Sequence, residues 1–276
     1  MPHCAWHPTS FERFEESFRT SIGTALIVTD AGRAYIKPLG NPQGPHVLAC
    51  EWVGTRLADW FGLPTFDYSL MNVDEIDEIP LRGGHEAQPG PAFVSREVKG
   101  TTWGGDEEAL QQLVNRDDIA ALVVFDTWTK NCDRHPPPGA GRRPNYDNVF
   151  LSAEDVAPGM ARLIAMDHTH CFTCGNDLDQ RVARIDSVQD ERIFGLFPQF
   201  VRCVQRELVD ATLAKLGTLD RVTVERIVDS IPTVWQVPRP ARTALIDCIL
   251  RRAQFVRERM IDALAPACWP QPGLDF

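Results

Sequence analysis

Phe125-Asp126-Thr127-Trp128-Thr129-Lys130-Asn131-Cys132-Asp133-Arg134-His135, followed by Asn148-Val149-Phe150-Leu151 and Leu163-Ile164-Ala165-Met166-Asp167-His168, decides how the rest of this 276-residue chain is read. Polar turns carrying carboxylates, an amide and an imidazole alternate with apolar runs, the pattern expected when short strands present ligands at their ends. Carboxylate and amide oxygens are hard ligands and suit magnesium. With a distant lysine they make up the inventory of phosphoryl transfer: an acceptor for the nucleophile's proton, oxygens for the metal and a cation for the phosphates. Taken alone, Asn131, Asp133 and His135 also fit a turn whose side chains bond their own backbone.

Upstream, Thr24–Thr29 and Ala34–Lys37 flank Asp30-Ala31-Gly32-Arg33, the signature of a β-hairpin. Lys37 ends its second strand, where a lysine is ordinarily a solvated edge residue. Val47–Phe61 has apolar residues at 48, 52, 53, 57, 60 and 61, which predicts an amphipathic helix stopped by Gly62 and Pro64. Glu51 lies close to its apolar face, where an unpaired carboxylate is costly, so Lys37 is the expected partner. Phe11, Phe14 and Phe18 stand at helical spacing, residues 72–90 read as a surface loop, and Pro91–Val98 reads as a strand. Residues 106–124 are expected to be helical from an acidic start.

Composition limits the class. A 43% hydrophobic fraction supplies a core, and 24% charged residues without low-complexity runs argue for a folded chain. The formal net charge of -10 disfavours nucleic acid and anionic membranes as partners. Eight scattered cysteines in a chain of this size are expected as reduced thiols. Cys171-Phe172-Thr173-Cys174 is half of a zinc knuckle without its other half, although His168 and His170 keep a soft-metal site in view. The N-terminal residues Met1–His7 lack the segments of a signal peptide and no run reaches membrane-spanning length, so the expected location is cytoplasmic.

Beyond Gly175, residues 200–216, 222–231 and 241–264 carry helical periodicity. Arg251, Arg252, Arg257 and Arg259 read as a solvated helix face, and residues 265–276 as an extended tail.

The series Asp126-x-Trp128-x-x-Asn131-x-Asp133-Arg134-His135, then Asn148 before an apolar strand, then Asp167-His168, resembles the catalytic core of the HipA-like kinases. Its Asp-Arg-His element also resembles that of phosphatidylinositol kinases. The likeness spans about residues 20–172. It implies an α+β, two-lobed protein-kinase-like fold, with a β-rich N-terminal lobe over 1–98 and a mostly helical C-terminal lobe over 99–276. ATP would lie in the cleft. Lys37 would contact its phosphates and pair with Glu51, while Phe93 to Ser95, with Val94 at their centre, would form the hinge against adenine. Ser21-Ile22-Gly23-Thr24 is the candidate phosphate loop, since glycine and a hydroxyl permit close approach to anions. The resemblance makes Asp133 the group that orients or deprotonates the attacking hydroxyl, supported by His135 and Arg134, with Asn148 and Asp167 as magnesium ligands. A protein serine or threonine is the implied acceptor, and a lipid or small molecule the alternative.

One departure stands out. Residues 136–147, rich in proline and glycine, separate His135 from Asn148 by more than is usual in such kinases. They are expected to bulge outward as a loop whose ends still meet. Should the ends fail to meet, Asn145 or Asp147 would replace Asn148, or the chain would be a nucleotide-binding scaffold without catalysis. Arg142 and Arg143 on this loop read as solvated or as contacts for an acidic substrate. The sequence leaves the oligomeric state open.

Overall fold

Alternating apolar residues in Ala25–Thr29 (β2) and Gly32–Leu39 (β3) form the expected hairpin, with Thr29 opposite Gly32. Gly32 has φ 102°, which residues with a side chain rarely adopt. This computed structural model describes residues 6–270. Around the hairpin is a five-stranded antiparallel sheet of order β1-β2-β3-β7-β4, adding Phe11–Ser17 (β1), Tyr68–Val73 (β4) and Gln88–Arg96 (β7). Helix α1 (His46–Phe61) enters between β3 and β4 and stops at Gly62, as its sequence predicts.

Two expectations fail within this region. Phe11–Ser17 is a strand paired antiparallel with β2, and register shifts between Phe11 and Arg13 and between Phe14 and Glu16 insert bulges in it. A bulge shifts the face of every later residue, so Phe11 and Phe14 pack on one core despite their helix-like spacing. Residues 72–90 are not wholly loop. Asn72 and Val73 finish β4, and Pro80–Leu81 (β5) pairs with His85–Glu86 (β6).

The second region begins with Gly100–Thr102 (β8) and the short helix Glu107–Gln111 (α2). The predicted single helix over 106–124 is in fact α2 followed, after a break, by Asp118–Thr129 (α3). Asp126 therefore sits inside α3 rather than in a strand-end turn. Val149–Ser152 (β9) and Arg162–Ala165 (β10) complete a three-stranded antiparallel sheet of order β10-β9-β8. Helices Ile185–Val188 (α4), Arg206–Leu216 (α5), Arg221–Asp229 (α6) and Arg239–Cys268 (α7) follow, and residues 198–203 form a separate 3-10 turn. The expected extended tail is corrected for 265–268, which continue α7 with Pro266 inside it. Residues 1–5, including Cys4 of the reduced-thiol set, and 271–276 of the tail lie outside the described residues.

The large core joins α1, α3 and the C-terminal helices around Phe125, Trp128, Phe197 and Leu245, while a small one lies against the five-stranded sheet and includes Ile27, Ile36 and Val94. Burial of such side chains contributes about 1.5–3 kcal/mol each. The two cores sit on opposite faces of β3 and β7: Ile36 and Val94 turn into the small one, and the alternate residues Tyr35, Lys37, Phe93 and Ser95 turn the other way. Those four line a cavity.

Candidate active site

The cavity has a volume of about 620 Å³. Its sheet wall carries Thr24, Tyr35, Lys37, Phe93 and Ser95, and the facing wall carries Asp133, Asn148, Phe150, Met166 and Asp167. Aromatic rings gather at one part of it. Phe66 and Phe150 meet edge to face at 5.1 Å, and Tyr68 stacks on Phe93 at 6.2 Å. The remainder mixes polar groups with Phe18, Ala165 and Met166.

Lys37 occupies the junction of three elements. Its Nζ lies 3.0 Å from Glu51 on α1 and 3.3 Å from Oδ1 of Asp167. Burial works to raise the Asp167 pKa, but the Lys37 ammonium and the Thr169 hydroxyl, 2.7 Å away, hold the carboxyl well below its usual range. Burial pushes Glu51 up, opposed by Lys37 and by the His168 N–H that donates to it at 2.8 Å. Helix α1 reaches that close because residue 54 is glycine. A Cβ there would stand 2.5 Å from the Cβ of His168. Asp167 has φ 55°, a left-handed conformation that non-glycine residues hold only under constraint.

Across the cavity, Nδ2 of Asn148 donates to Oδ2 of Asp133 at 2.8 Å, and His170 Nδ1 lies 3.6 Å from the same oxygen. The insertion does not separate them. Its backbone closes where Asn145 N donates to Arg134 O at 2.8 Å, Asn145 Nδ2 donates to Asn148 Oδ1 at 3.0 Å, and residues 138–144 remain exposed. Arg134 is fully buried. It pairs with Asp126 and donates to the carbonyls of Asn148 and Met166, so one side chain ties α3 to both segments that carry site residues.

Of the residues singled out in the sequence, Lys37, Glu51, Ser21, Asp133, Asn148 and Asp167 line this cavity, and Val94, Gly23 and His135 do not. Strand alternation turns Val94 into the small core; its neighbours Phe93 and Ser95 take the cavity face. A Cβ on Gly23 would face Leu81 at 3.3 Å. His135 packs its ring on Phe197 at 4.9 Å, and burial lowers its pKa. Sequence reasoning missed Thr169, Tyr68 and Phe150, whose residue types are too common in strands and turns to signal a site. The soft-metal group does not converge. His168 Nδ1 meets Thr55 Oγ1, Cys171 Sγ meets Thr129 Oγ1, and His170 stands by Asp133. Among the described residues no group of three His, Cys, Asp or Glu side chains is arranged to hold a metal.

The donor set fits a magnesium nucleotide. The carboxylate at 167 and the amide at 148 are hard oxygen donors, and Lys37 and Thr169 both engage Oδ1 of Asp167, neither of them Oδ2. An 620 Å³ cavity is of the size that small-molecule sites usually have.

A family model described as HipA-like kinase matches residues 27–263. The fold is similar to that of a Helicobacter pylori proinflammatory kinase, CtkA, with a TM-score of 0.58 and 13% identity over 92% of this chain and 97% of that one. A second solved structure, Shewanella oneidensis HipA with HipB and operator DNA, gives a TM-score of 0.40 and 11% identity over 87% of this chain and 61% of that one. No curated protein sequence matches the chain.

Proposed function

The chain belongs to the HipA-like kinase family, a family of kinase-type phosphotransferases, and from that premise we propose that it is an ATP- and magnesium-dependent enzyme that phosphorylates a serine or threonine hydroxyl on a protein. The observation that carries this reading is the shared cavity of Lys37, Asp133, Asn148 and Asp167, drawn from segments far apart in the chain. In the proposed two-lobed arrangement, residues 1–98 supply the wall with Lys37 and Glu51, and 99–276 the wall with Asp133, Asn148 and Asp167. ATP lies as substrate between them, with its base at the Phe66, Tyr68, Phe93 and Phe150 rings and its phosphates at Lys37.

Electrostatics supports a metal requirement. Glu51, Asp133, Asp147 and Asp167 line the cavity against Arg19 and Lys37, four carboxylates to two cations. Such a surface repels a bare triphosphate. Asn148 and Asp167 would hold magnesium, which when bound neutralises phosphate oxygens and draws charge from the transferring group. Asp133 accepts the proton of the attacking hydroxyl, and its hydrogen bond from Asn148 holds one carboxylate oxygen in place while the other faces the nucleophile. Lys37 neutralises phosphate charge, positioned by Glu51.

Radiolabelled ATP with magnesium tests this. Wild type is expected to label itself or a protein in lysate; Asp133→Ala and Asp167→Ala are expected to lose transfer, and Lys37→Ala to weaken nucleotide binding or turnover strongly. If wild type binds Mg-ATP yet transfers nothing to itself, water or lysate proteins, the non-catalytic scaffold replaces the enzyme. Label appearing in lipid or small-molecule fractions alone would move the acceptor and leave the phosphotransferase standing. The closed ends of the 136–147 loop leave the scaffold reading without the geometric ground it had in the sequence.

A further inference from the structure

Asn145 stands at the returning end of the 136–147 insertion and lines the cavity beside Asn148. Its surroundings hold it still. Tyr146 packs its ring on Trp103 at 5.4 Å and on Phe197 at 4.9 Å, and Asp147 Oδ1 accepts from the Thr102 hydroxyl at 3.0 Å. The backbone N–H of Asn145 donates to Arg134 O at 2.8 Å, and its carbonyl accepts from Asn148 N at 3.3 Å. From that fixed backbone its side chain begins a directed chain of two amides and a carboxylate. Asp147 N donates to Asn145 Oδ1 at 3.2 Å, Asn145 Nδ2 donates to Asn148 Oδ1 at 3.0 Å, and Asn148 Nδ2 donates to Asp133 Oδ2 at 2.8 Å. The two ends of the chain set both amides, since a backbone N–H only donates and a carboxylate only accepts. Asn148 therefore turns its NH2 to Asp133 and its oxygen to Asn145.

We propose that Asn145 is a positioning residue for magnesium, holding the Asn148 amide by its oxygen end so that one lone pair of that oxygen is left for the cation. This rests on the Mg-nucleotide reading of the cavity, and it makes the insertion part of that site.

An amide oxygen has two lone pairs, of which Asn145 takes one. Held by Asp133 alone, the buried Asn148 amide would pivot about that contact; contacts at opposite ends fix its plane. Partners that orient a metal's ligands are commonly worth about 10–100-fold in metal affinity. Capping by itself does not call for an asparagine here. Asn145 precedes the 3-10 turn Tyr146–Asn148, and serine or threonine caps such a turn as well by accepting from the same backbone N–H. Both are too short to reach Asn148 at the same time. The exposed part of the insertion is held separately, where Arg142 donates to Cys174 O at 2.7 Å. The chain of amides and the anchor of the outer loop can therefore be broken one at a time.

The test titrates magnesium into the full chain with a non-hydrolysable ATP analogue and reads analogue binding at equilibrium, so the readout needs no transfer. In Asn145→Ser the magnesium concentration at half-saturation is expected to rise about tenfold, while analogue affinity at saturating magnesium and the urea midpoint stay close to wild type. Asn145→Thr is expected to shift alike, and decides the matter if the serine variant fails to fold. Asn148→Ala weakens magnesium by itself, and adding Asn145→Ser to it changes nothing further, because Asn145 acts through Asn148. Arg142→Ala keeps the wild-type magnesium dependence. An unchanged dependence in a folded Asn145 variant overturns the positioning role. A further loss in the double variant also overturns it, as does an equal shift in Arg142→Ala, which would mark a general loosening of the loop. Wild-type binding that ignores magnesium defeats the Mg-nucleotide reading and the positioning role together, whereas magnesium-dependent binding without transfer defeats the enzyme and leaves Asn145 its role.

Discussion

Arg134 and Arg252 are both shut away from solvent, at 0% and 1% exposure, and both hold α3, yet the two regions around them neutralise a buried charge in different ways. Arg134 has a carboxylate, Asp126, and spends its remaining donors on the carbonyls of Asn148 and Met166, next to the cavity residues. Among the described residues Arg252 has no ion pair. It donates to the carbonyls of Thr127 and Trp128 in the last turn of α3, and to those of Ser187, Val188 and Asp190. Unsatisfied carbonyls at a helix C-terminus form the negative end of its dipole, so oriented peptide groups take the place of a counter-ion. Burial still costs something here, and it lowers the Arg252 pKa to about 10. A charge that ties segments of the site together is balanced by a charge; one that anchors the scaffold is balanced by dipoles.

The largest effect expected is at Arg134. Arg134→Met leaves Asp126 buried without its partner, which typically costs about 3–5 kcal/mol, and urea unfolding should show it. Transfer should be lost as well. Adding Asp126→Leu should recover much of the stability and none of the transfer, because the carbonyls of Asn148 and Met166 still lack their donor. A double variant that regains both would reduce Arg134 to a partner for Asp126 and erase the distinction between the regions.

Arg252→Met comes next. It strands several carbonyls, each worth about 1–3 kcal/mol if no water replaces the donor. Unfolding should shift by an amount of that order, with Mg-ATP affinity unchanged in the folded fraction. Loss of nucleotide binding at full stability would show that Arg252 also serves the site.

How much of this was legible beforehand follows the same divide. Lys37 and Glu51 pair as expected because hairpin and helix are short, local and punctuated by Gly32 and Gly62. Asp133, Asn148 and Asp167 were picked out by the order and residue types of their motif. Orientation was not legible. Val94 and Phe93 differ by one position and occupy opposite faces of β7, a choice set by register with β3 and not by composition. Strand β1 was hidden because its bulges reproduce helical spacing. Arg252 was expected on a solvated face, since in sequence it is one of four arginines on a long helix, and only the packing of α4 and α3 against α7 makes it interior.

His135 gives the smallest effect and separates motif membership from participation. It adjoins Arg134 but packs on Phe197, outside the cavity, and burial holds its pKa below the usual histidine value near 6.5. A lowered histidine pKa means that the unfolded chain binds more protons below that value. The stability His135 contributes is therefore complete above pH of about 6.5, and is lost as pH falls from there towards its folded pKa. His135→Phe keeps a ring against Phe197 and removes the titration. Melting temperatures from about pH 7 to 5 should decline less steeply in the variant than in wild type, and transfer at neutral pH should stay within a few-fold, whereas Asp133→Ala abolishes it. A folded His135→Phe protein without transfer would make the imidazole a participant in the chemistry and extend the site beyond the cavity wall, behind the loop.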